Sequence, residues 1–424
     1  MKIQPISKPF DEEFEKISSD KSISHRCAIF SLLSDKTSEI YDYLEAEDTL
    51  NSLKIITKLG AKVEQNGNLI KITPPKQIIS PNSILDCGNS GTAMRIFMGL
   101  LAASDGFFVL SGDEYLNQRP MQRISAPLKQ IGAKIYGREN ANKAPIAIKG
   151  KKLKYFKFKS QIPSAQVKTA MILAGLLGNG GKFSEIELSR NHSEIMLQKM
   201  GAKITKNGLN LIIKPLKKPL KPLKMIVPND PSSCFFFAVA AAITKSAKIT
   251  LKNVLLNPTR IEAFKILEKM GAKISYKITN ESFESIGDIC VEGSDLKAVE
   301  VSQNISWLID EAPALAIAFA SAKGTSILKN AKELRVKESD RIAVMVNGLK
   351  KCGIKAKELE DGFEITGGEP KFAVIDSFGD HRIAMSFAIL GLKCGMDIQK
   401  SEFIATSFPK FTHFLKQLGA KIEN

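Results

Sequence analysis

The sequence has few of the residues that build metal sites or disulfide scaffolds. Its 424 residues include six cysteines that lie far apart with no CxxC pair, and four histidines without metal-ligand spacing. This pattern indicates reduced thiols and no metal site. The longest apolar runs, such as CFFFAVAAAI, are shorter than the roughly 20 residues of a membrane span. The N-terminus MKIQPISKPFDEE also lacks the apolar segment of a signal peptide. We therefore expect a cytoplasmic protein without a membrane anchor.

Positive charge, in contrast, is abundant. The net charge is +17, with 44% hydrophobic and 25% charged residues, which is typical of a globular protein that meets anions. The lysines are scattered, so much of the excess fits ordinary surface charge. A nucleic-acid-binding protein would interleave aromatic and basic residues as stacking platforms. One tryptophan, six tyrosines and phenylalanines at core-like positions do not provide that pattern.

One stretch concentrates charge in front of an apolar helix. LRVKESDRI, residues 334 to 342, carries five charges in nine positions. The helix face that follows shows i, i+3, i+4, i+7 spacing: Ile342, Met345, Val346 and Leu349. Glu338 and Arg341 continue this stripe at four-residue steps, and Lys337 neighbours Arg341 if the first turn is helical. Because buried charges need partners, the stretch predicts either an ion-pair cluster or a site for an anionic ligand.

A short phrase returns six times at intervals of 66 to 82 residues, as Gly-Ala-Lys in five copies and as Gly-Ile-Lys in the copy at Gly353. Its glycines are residues 60, 132, 201, 271, 353 and 419. An amphipathic helix precedes each glycine, which stands where a helix end needs a left-handed residue. A strand follows, often with a turn and a second strand. A period of this length suits a small α/β unit, so we expect an α/β fold of six repeated units.

The two chain ends complement each other. The sixth copy stops at LGAKIEN without a second strand, whereas the N-terminus begins with a lone strand, MKIQPI. We predict that these ends pair, so that the first strand completes the last copy. The chain would then form two domains of three units each, with a hinge at the two crossings. One domain is discontinuous, 1–18 plus 229–424, and the other is continuous, 19–228.

Other predicted helix starts also carry cations, hydroxyls or carboxylates. They include Lys21, Ser22, Arg26, Arg95, Ser164, Gln166, Asp310, Glu311, Asp380 and Arg382, with Arg119 and Arg123 in the loop DEYLNQRPMQR. A helix N-terminus offers free N–H groups and a favourable dipole to an anion. Each start alone fits ordinary capping. Together they predict a site for a ligand with several negative charges.

The motifs then occur in a recognisable order. They are DKSISHR, GNSGTAMR, RPMQR, SAQVKTA, RNHSE, DPSS, NPTR, IDEAP, LRVKESDR, DHRIAMS and SFP. In these the chain resembles the EPSP synthase family over almost its whole length, and SAQVK, RNHSE and NPTR resemble its glyphosate-tolerant class II branch. The resemblance implies two domains of the inside-out α/β barrel type.

The reaction implied by the resemblance belongs to the shikimate pathway, which leads to chorismate and aromatic amino acids. The enolpyruvyl group of phosphoenolpyruvate moves to the 5-hydroxyl of shikimate 3-phosphate by addition–elimination, and phosphate leaves. The resemblance implies a monomer with no cofactor, no metal, no nucleic acid and no membrane partner. Its partners would be the two small-molecule substrates.

Site residues are implied in the same way. For shikimate 3-phosphate they are Lys21, Ser22, Arg26, Ser164, Ala165, Gln166, Arg190, Asp310 and Lys337. For phosphoenolpyruvate they are Lys21, Gly91, Arg119, Gln166, Arg341 and Arg382. The implied catalytic set is Asp310 as base on the hydroxyl, Glu338 as proton donor to the methylene carbon, and Lys21. Burial would raise the pKa of Glu338 and the neighbouring cations would lower it, and the sequence leaves the outcome open.

Some positions depart from the family pattern. Thr406 stands where class I members have a lysine before TFP, and Ser19 where a glycine is usual. Some class II members carry alanine at the position of Gly91, so intermediate glyphosate tolerance is expected. The alternative reading is the sister enzyme that acts on UDP-N-acetylglucosamine. That enzyme normally has a cysteine in its arginine-bearing loop, whereas EYLNQRPMQR has none and Cys87 precedes GNSGT instead.

Overall fold

The repeated phrases become repeated sheets in the computed structural model, which describes residues 1–281 and 283–423. The strands are β1 (Lys2–Ile3), β2 (Asp11–Phe14), β3 (Ser38–Tyr41), β4 (Lys62–Asn66), β5 (Leu69–Thr73), β6 (Leu85–Asp86), β7 (Gly106–Ser111), β8 (Lys134–Gly137), β9 (Lys143–Gly150), β10 (Phe156–Lys159), β11 (Gly181–Ser184), β12 (Ile204–Asn207), β13 (Asn210–Ile213), β14 (Lys224–Ile226), β15 (Lys248–Leu255), β16 (Lys273–Glu281), β17 (Ser285–Glu292), β18 (Glu300–Val301), β19 (Thr325–Leu328), β20 (Lys355–Leu359), β21 (Gly362–Thr366), β22 (Val374–Asp376), β23 (Met396–Gln399) and β24 (Ile422–Glu423).

Helices alternate with these strands. They are α1 (Lys21–Ser31), α2 (Glu47–Lys58), α3 (Gly91–Ala102), α4 (Gln122–Gln130), α5 (Arg138–Ala141), α6 (Ala165–Leu177), α7 (His192–Lys199), α8 (Pro231–Ile243), α9 (Glu262–Lys269), α10 (Ile305–Leu308), α11 (Ala312–Ser321), α12 (Arg341–Lys351), α13 (His381–Cys394) and α14 (Phe411–Gln417). Short 3-10 helices cover Leu116–Gln118, Lys332–Val336 and Ser401–Thr406. Within the described ranges, no helix combines the length and apolar character that crossing a membrane requires.

All six sheets share one topology. Their strand orders are β14-β3-β5-β4, β6-β7-β9-β8, β10-β11-β13-β12, β2-β15-β17-β16, β18-β19-β21-β20 and β22-β23-β1-β24. In each order the first pair is parallel and the next two pairs are antiparallel. The six repeated α/β units are therefore confirmed.

The chain forms two compact units. The discontinuous unit comprises residues 1–19 and 228–424, and the continuous unit comprises residues 20–227. Each unit holds three of the six sheets. In the discontinuous unit β1 pairs antiparallel with β24, with Lys2 opposite Glu423. The predicted pairing of the two chain ends is thus confirmed, because the N-terminal strand occupies the place that the truncated sixth copy leaves open.

Nearly all-apolar helices fill the inside of each unit. In the discontinuous unit α8, α11 and α13 pack against one another and are buried along almost their whole lengths. In the continuous unit α3 packs against α1 and α6. A β-carbon on Gly99 would lie 2.4 Å from the α-carbon of Ala170, so only glycine permits this approach of α3 to α6. Helices apolar all round are expected in such a position, and inner strands such as β9 alternate buried with more exposed residues.

The repeated glycine ends a helix by adopting a left-handed backbone. Its φ is 101° at Gly60, and the other five copies are also positive. The N–H of Gly60 donates to the carbonyl of Thr57 at 3.0 Å, and the N–H of Ala61 donates to that of Ile56 at 3.0 Å. These bonds satisfy carbonyls that the helix end would leave open. The predicted role of the phrase as a helix stop is confirmed.

Candidate active site

Three core helices of the continuous unit begin at predicted site residues. Lys21, Gly91 and Ala165 are the first residues of α1, α3 and α6. The cap before each helix accepts a hydrogen bond from a main-chain N–H: Asp20 from Ile23 at 2.7 Å, Ser90 from Ala93 at 3.2 Å, and Ser164 from Val167 at 3.4 Å. Side-chain caps of this kind fix where a helix starts. They therefore fix the direction of the N–H groups beside the predicted ligands.

Arg26 is a buried cation of this group whose side chain is held by hydrogen bonds to neutral acceptors. Its side chain is buried, and Nε donates to the Ser193 hydroxyl at 2.8 Å. The two Nη atoms donate to the Ser22 carbonyl at 2.9 Å and to the Thr169 hydroxyl at 3.2 Å. These neutral acceptors orient the guanidinium. Lys21 instead pairs with a carboxylate, 3.0 Å from Oδ2 of Asp48.

Arg119 lies directly over Gly91. A β-carbon on Gly91 would be 2.9 Å from Cζ and Nη1 of Arg119 and 3.0 Å from Nη2. Arg119 is buried, and Nη1 donates to the Asn89 carbonyl at 3.4 Å. The predicted phosphoenolpyruvate ligands Gly91 and Arg119 are thus brought together. Any side chain at position 91 would have to move the guanidinium.

Gln166 is held by two residues of α3. Its Oε1 accepts from Nη1 of Arg95 at 2.8 Å, and its Nε2 donates to the Thr92 hydroxyl at 2.9 Å. Arg95 also donates to the Pro120 carbonyl at 3.1 Å. The ligands implied by the family resemblance include Gln166 but neither Arg95 nor Thr92, although Arg95 was named among the charged residues at predicted helix starts. A charged side chain inside an apolar helix was the signal for Arg95, because such a charge needs a buried partner.

A buried histidine joins the helix starts. Nδ1 of His25 lies 2.8 Å from the Ser52 hydroxyl and Nε2 lies 3.3 Å from that of Ser90. Burial, aided by Lys21 and Arg26, holds the pKa of His25 well below 6.5. The neutral ring therefore links α1 to α2 and to the cap of α3. Arg190, by contrast, lies in the loop between β11 and α7.

In the discontinuous unit Arg341 lies among three carboxylates. Its Nε donates to Oδ2 of Asp380 at 2.8 Å, and its Nη2 donates to Oε2 of Glu338 at 2.6 Å. Its Nη1 is 3.7 Å from Oδ1 of Asp310. Burial alone would lower the pKa of Arg341, but Asp380, Glu338 and Asp310 raise it above its ordinary value. The two predicted acid–base carboxylates therefore meet at one permanently charged guanidinium.

The start of α12 corrects part of the sequence interpretation. The helix begins at Arg341, because the side chain of Asp340 caps it by accepting from the N–H of Ala343 at 3.1 Å. Lys337 and Glu338 precede the helix, so the expected place of Glu338 on the helical stripe was wrong, and Lys337 is not a helical neighbour of Arg341. The apolar stripe itself is confirmed, since Ile342 and its periodic partners are buried. Glu338 reaches Arg341 through the turn before the helix.

Lys337 and Arg382 both reach Asp310. Nζ of Lys337 is 3.9 Å from Oδ1 of Asp310 and 4.0 Å from Oε1 of Glu333. Burial lowers the pKa of Lys337, and these carboxylates only partly offset that effect. Arg382 donates to the main-chain carbonyl of Asp310 at 2.9 Å. The structure thus gathers five of the predicted residues of this unit, because Arg341 and Glu338 join Asp310, Lys337 and Arg382.

A buried network beside Asp310 joins Glu311, which was named among the predicted helix starts, to three residues that were not predicted as part of the site. Nη2 of Arg260 donates to Oδ1 of Asp230 at 2.7 Å and to the Ser232 hydroxyl at 3.2 Å. The same hydroxyl donates to Oε1 of Glu311, the neighbour of Asp310. The network joins the motifs DPSS, NPTR and IDEAP. Each motif alone resembled a helix cap or loop, so only their contact shows that they work together.

Three comparisons with known proteins bear on this arrangement. A family model described as EPSP synthase (3-phosphoshikimate 1-carboxyvinyltransferase) matches residues 6–422. The chain belongs to the EPSP synthase family. A protein of Campylobacter fetus subsp. fetus named 3-phosphoshikimate 1-carboxyvinyltransferase is 70% identical over 100% of both chains. One of that name from Campylobacter curvus is 63% identical, also over 100% of both.

Solved structures of the family agree with this assignment. The EPSP synthase of Acinetobacter baumannii superposes with a TM-score of 0.87 at 37% identity, and covers 100% of this chain and 99% of its own. The family resemblance read from the motifs is therefore confirmed, and so is the fold class. Within the described residues, no group of three or more histidine, cysteine, aspartate or glutamate side chains could hold a metal ion.

Thr406 has a local partner in this family member. It lies at the end of the 3-10 helix Ser401–Thr406, largely buried, and its hydroxyl donates to the Phe403 carbonyl at 2.7 Å. A threonine in this role stabilises the turn. It does not supply the positive charge that the class I lysine carries.

Proposed function

We propose that this protein transfers the enolpyruvyl group of phosphoenolpyruvate to the 5-hydroxyl of shikimate 3-phosphate and releases inorganic phosphate. The reaction would serve chorismate and aromatic amino acid biosynthesis. Support comes from full-length similarity to proteins named 3-phosphoshikimate 1-carboxyvinyltransferase. The observation that carries the mechanism is that Asp310 and Glu338 both approach the guanidinium of Arg341.

The anionic groups of the substrates account for the cations. Lys21, Ser22, Arg26 and Arg190, with the start of α6 at Ser164, Ala165 and Gln166, would hold shikimate 3-phosphate. Gly91 and Arg119, with Lys21, Gln166, Arg341 and Arg382, would hold phosphoenolpyruvate. Arginine forks suit carboxylate and phosphate groups better than lysine does. Helix N-termini add N–H donors and a favourable dipole.

The chemistry needs one proton removed and one delivered. Asp310, with Lys337 beside it, would take the proton of the 5-hydroxyl as its oxygen bonds to C2 of phosphoenolpyruvate. Glu338 would protonate C3, which becomes a methyl group in the tetrahedral adduct. Glu338 would then take a proton back from C3 as the C2–O bond to phosphate breaks. Two carboxyls in different surroundings can divide such work.

Substrate binding would prepare Glu338 for this task. In the structure its carboxylate contacts Arg341 at 2.6 Å, which favours the ionised form. An anion bound to Arg341 would compete for the guanidinium and add negative charge beside Glu338. Both effects favour the protonated carboxyl. Glu338 would therefore be protonated, and able to act as the acid, when phosphoenolpyruvate is bound.

Glyphosate is proposed to compete with phosphoenolpyruvate at Gly91 and Arg119. Glyphosate is the longer molecule, so it would lie closer to position 91. Because this chain retains glycine there, with Arg119 at contact distance, we propose intermediate tolerance. The inhibition constant against phosphoenolpyruvate measures it.

A phosphate-release assay tests the proposed function. The protein should release phosphate from phosphoenolpyruvate only when shikimate 3-phosphate is present. UDP-N-acetylglucosamine should not replace shikimate 3-phosphate. No phosphate release with the substrate pair, or release with UDP-N-acetylglucosamine instead, would overturn the proposal.

A further inference from the structure

A lysine of the continuous unit is fully buried between two carboxylates. Nζ of Lys168, in α6, lies 2.9 Å from Oε1 of Glu185 and 2.8 Å from Oε1 of Glu194. It also donates to the main-chain carbonyl of Ser189 at 3.2 Å. Lys168 and both glutamates are buried. The ordinary cost of burying charge means that such a cluster persists only when its members are paired.

These contacts enclose one loop. Glu185 follows the last residue of β11, Glu194 lies in the first turn of α7, and Ser189 is between them. Glu185 also binds the loop from inside, because its Oε2 accepts from the N–H of Ser189 at 3.0 Å and from the Ser189 hydroxyl. Lys168 therefore holds the start, the middle and the end of the segment 185–194. Arg190 lies within that segment.

Thr169, the next residue of α6, connects α7 to a second arginine, Arg26. The hydroxyls of Thr169 and Ser193 are 2.5 Å apart, and both accept hydrogen bonds from Arg26. Consecutive residues of α6 thus hold consecutive residues of α7, since Lys168 pairs with Glu194 and Thr169 with Ser193. Gln166, two residues before Lys168, bonds instead to α3.

We propose that Lys168 is a positioning residue for phosphate recognition: it fixes the loop 185–191 so that Arg190 is set beside Arg26 for the phosphate of shikimate 3-phosphate. The inference rests on the proposed function. Among the described residues, neither oxygen of Glu194 accepts a hydrogen bond, so the Lys168 ammonium offsets its charge. Without that ammonium, two buried carboxylates would repel each other and the loop would shift.

Lys168→Met tests this with the length of the side chain preserved. The KM for shikimate 3-phosphate should rise about tenfold or more, while kcat and the KM for phosphoenolpyruvate change less than about threefold. Affinity for shikimate, which lacks the phosphate, should also change little. Arg190→Ala should raise the KM for shikimate 3-phosphate in the parent protein. In the Lys168→Met protein it should raise that KM by less than about a further twofold, because Arg190 is already displaced there.

A charge-neutral control separates position from stability. Lys168→Met combined with Glu185→Gln and Glu194→Gln removes the buried repulsion and should recover Tm. Its KM for shikimate 3-phosphate should stay raised, because the loop still lacks its tie. If Lys168→Met alone does not fold, the KM of this triple variant tests the proposal instead.

Three results would overturn the inference. They are independent, multiplying effects of Lys168→Met and Arg190→Ala, an equal loss for shikimate and shikimate 3-phosphate, or full recovery of KM in the triple variant. Each is judged against a parent protein that turns over the substrate pair. A parent protein without turnover would overturn the proposed function instead.

Discussion

Two buried arginines of the continuous unit and two of the discontinuous unit show different kinds of hydrogen-bond partner. In the continuous unit, Arg26 and Arg95 donate to hydroxyls, an amide oxygen and main-chain carbonyls. In the discontinuous unit, Arg260 and Arg341 lie against carboxylates. Neutral acceptors orient a guanidinium without cancelling its charge, which suits anion binding. Carboxylate partners can gain or lose a proton, and the neighbouring guanidinium influences that equilibrium, which suits acid–base chemistry.

The largest expected effect tests the carboxylate side of this comparison. Glu338→Gln and Asp310→Asn should each lower kcat by about 100-fold or more, the usual scale for general acid–base groups. KM values should change less, because both amides retain the shape of the acid. Glu360→Gln is a matched control, since Glu360 is 85% exposed and pairs only with surface Lys332 among the described residues. Near-normal turnover in either test variant would remove that residue from the mechanism.

Arg26→Lys tests the neutral acceptors that orient an arginine in the continuous unit. The substitution keeps the charge but loses the fork that contacts Ser193, Ser22 and Thr169. Lost charge-assisted bonds of about 2 kcal/mol correspond to a KM for shikimate 3-phosphate raised roughly thirtyfold. Initial rates at saturating phosphoenolpyruvate measure it. Arg138→Lys, at an exposed arginine, is the control. An unchanged KM would mean that charge alone is recognised.

Gly91→Ala tests the role of Arg119 in distinguishing glyphosate from phosphoenolpyruvate. The added methyl would meet the guanidinium at 2.9 Å, so Arg119 must shift away from position 91. Binding of glyphosate should weaken at least about tenfold, or roughly 1.4 kcal/mol. Phosphoenolpyruvate should weaken less because it is shorter. The inhibition constant and the KM, measured on both proteins, decide this. Equal losses would show that the methyl disturbs both ligands through Arg119 alike.

The smallest expected effect concerns the neutral histidine. The pKa of His25 is lowered in the folded protein, so below pH 6.5 the unfolded chain binds a proton that the folded chain does not. Folding stability is therefore lost as pH falls, by at most about 1.4 kcal/mol per pH unit from this group. Between pH 7.5 and 5.5, Tm should fall less in His25→Gln than in the parent protein. Identical slopes for the parent protein and His25→Gln would contradict the prediction.

The sequence by itself determined the repeat and its closure. Glycine at the end of each amphipathic helix specifies a left-handed stop wherever it occurs, because the signal is local. The incomplete sixth copy and the lone first strand then allowed the pairing of β1 with β24 to be predicted. Helix starts near Lys21 and Ser164 were also predicted from local sequence, and in the structure the caps Asp20 and Ser164 fix them at Lys21 and Ala165.

Tertiary structure decided what the charged groups contact. The start of α12 depends on Asp340, which caps the helix and pairs with Arg335, itself bound to Glu358 on β20. Arg341 meets Asp380 from a position 39 residues away, and Lys168 meets Glu194 from 26 positions away. A charged side chain on an apolar stripe indicates that it needs a buried partner. Which partner satisfies it depends on the packing of separate helices, because no local rule of spacing relates residues so distant in sequence.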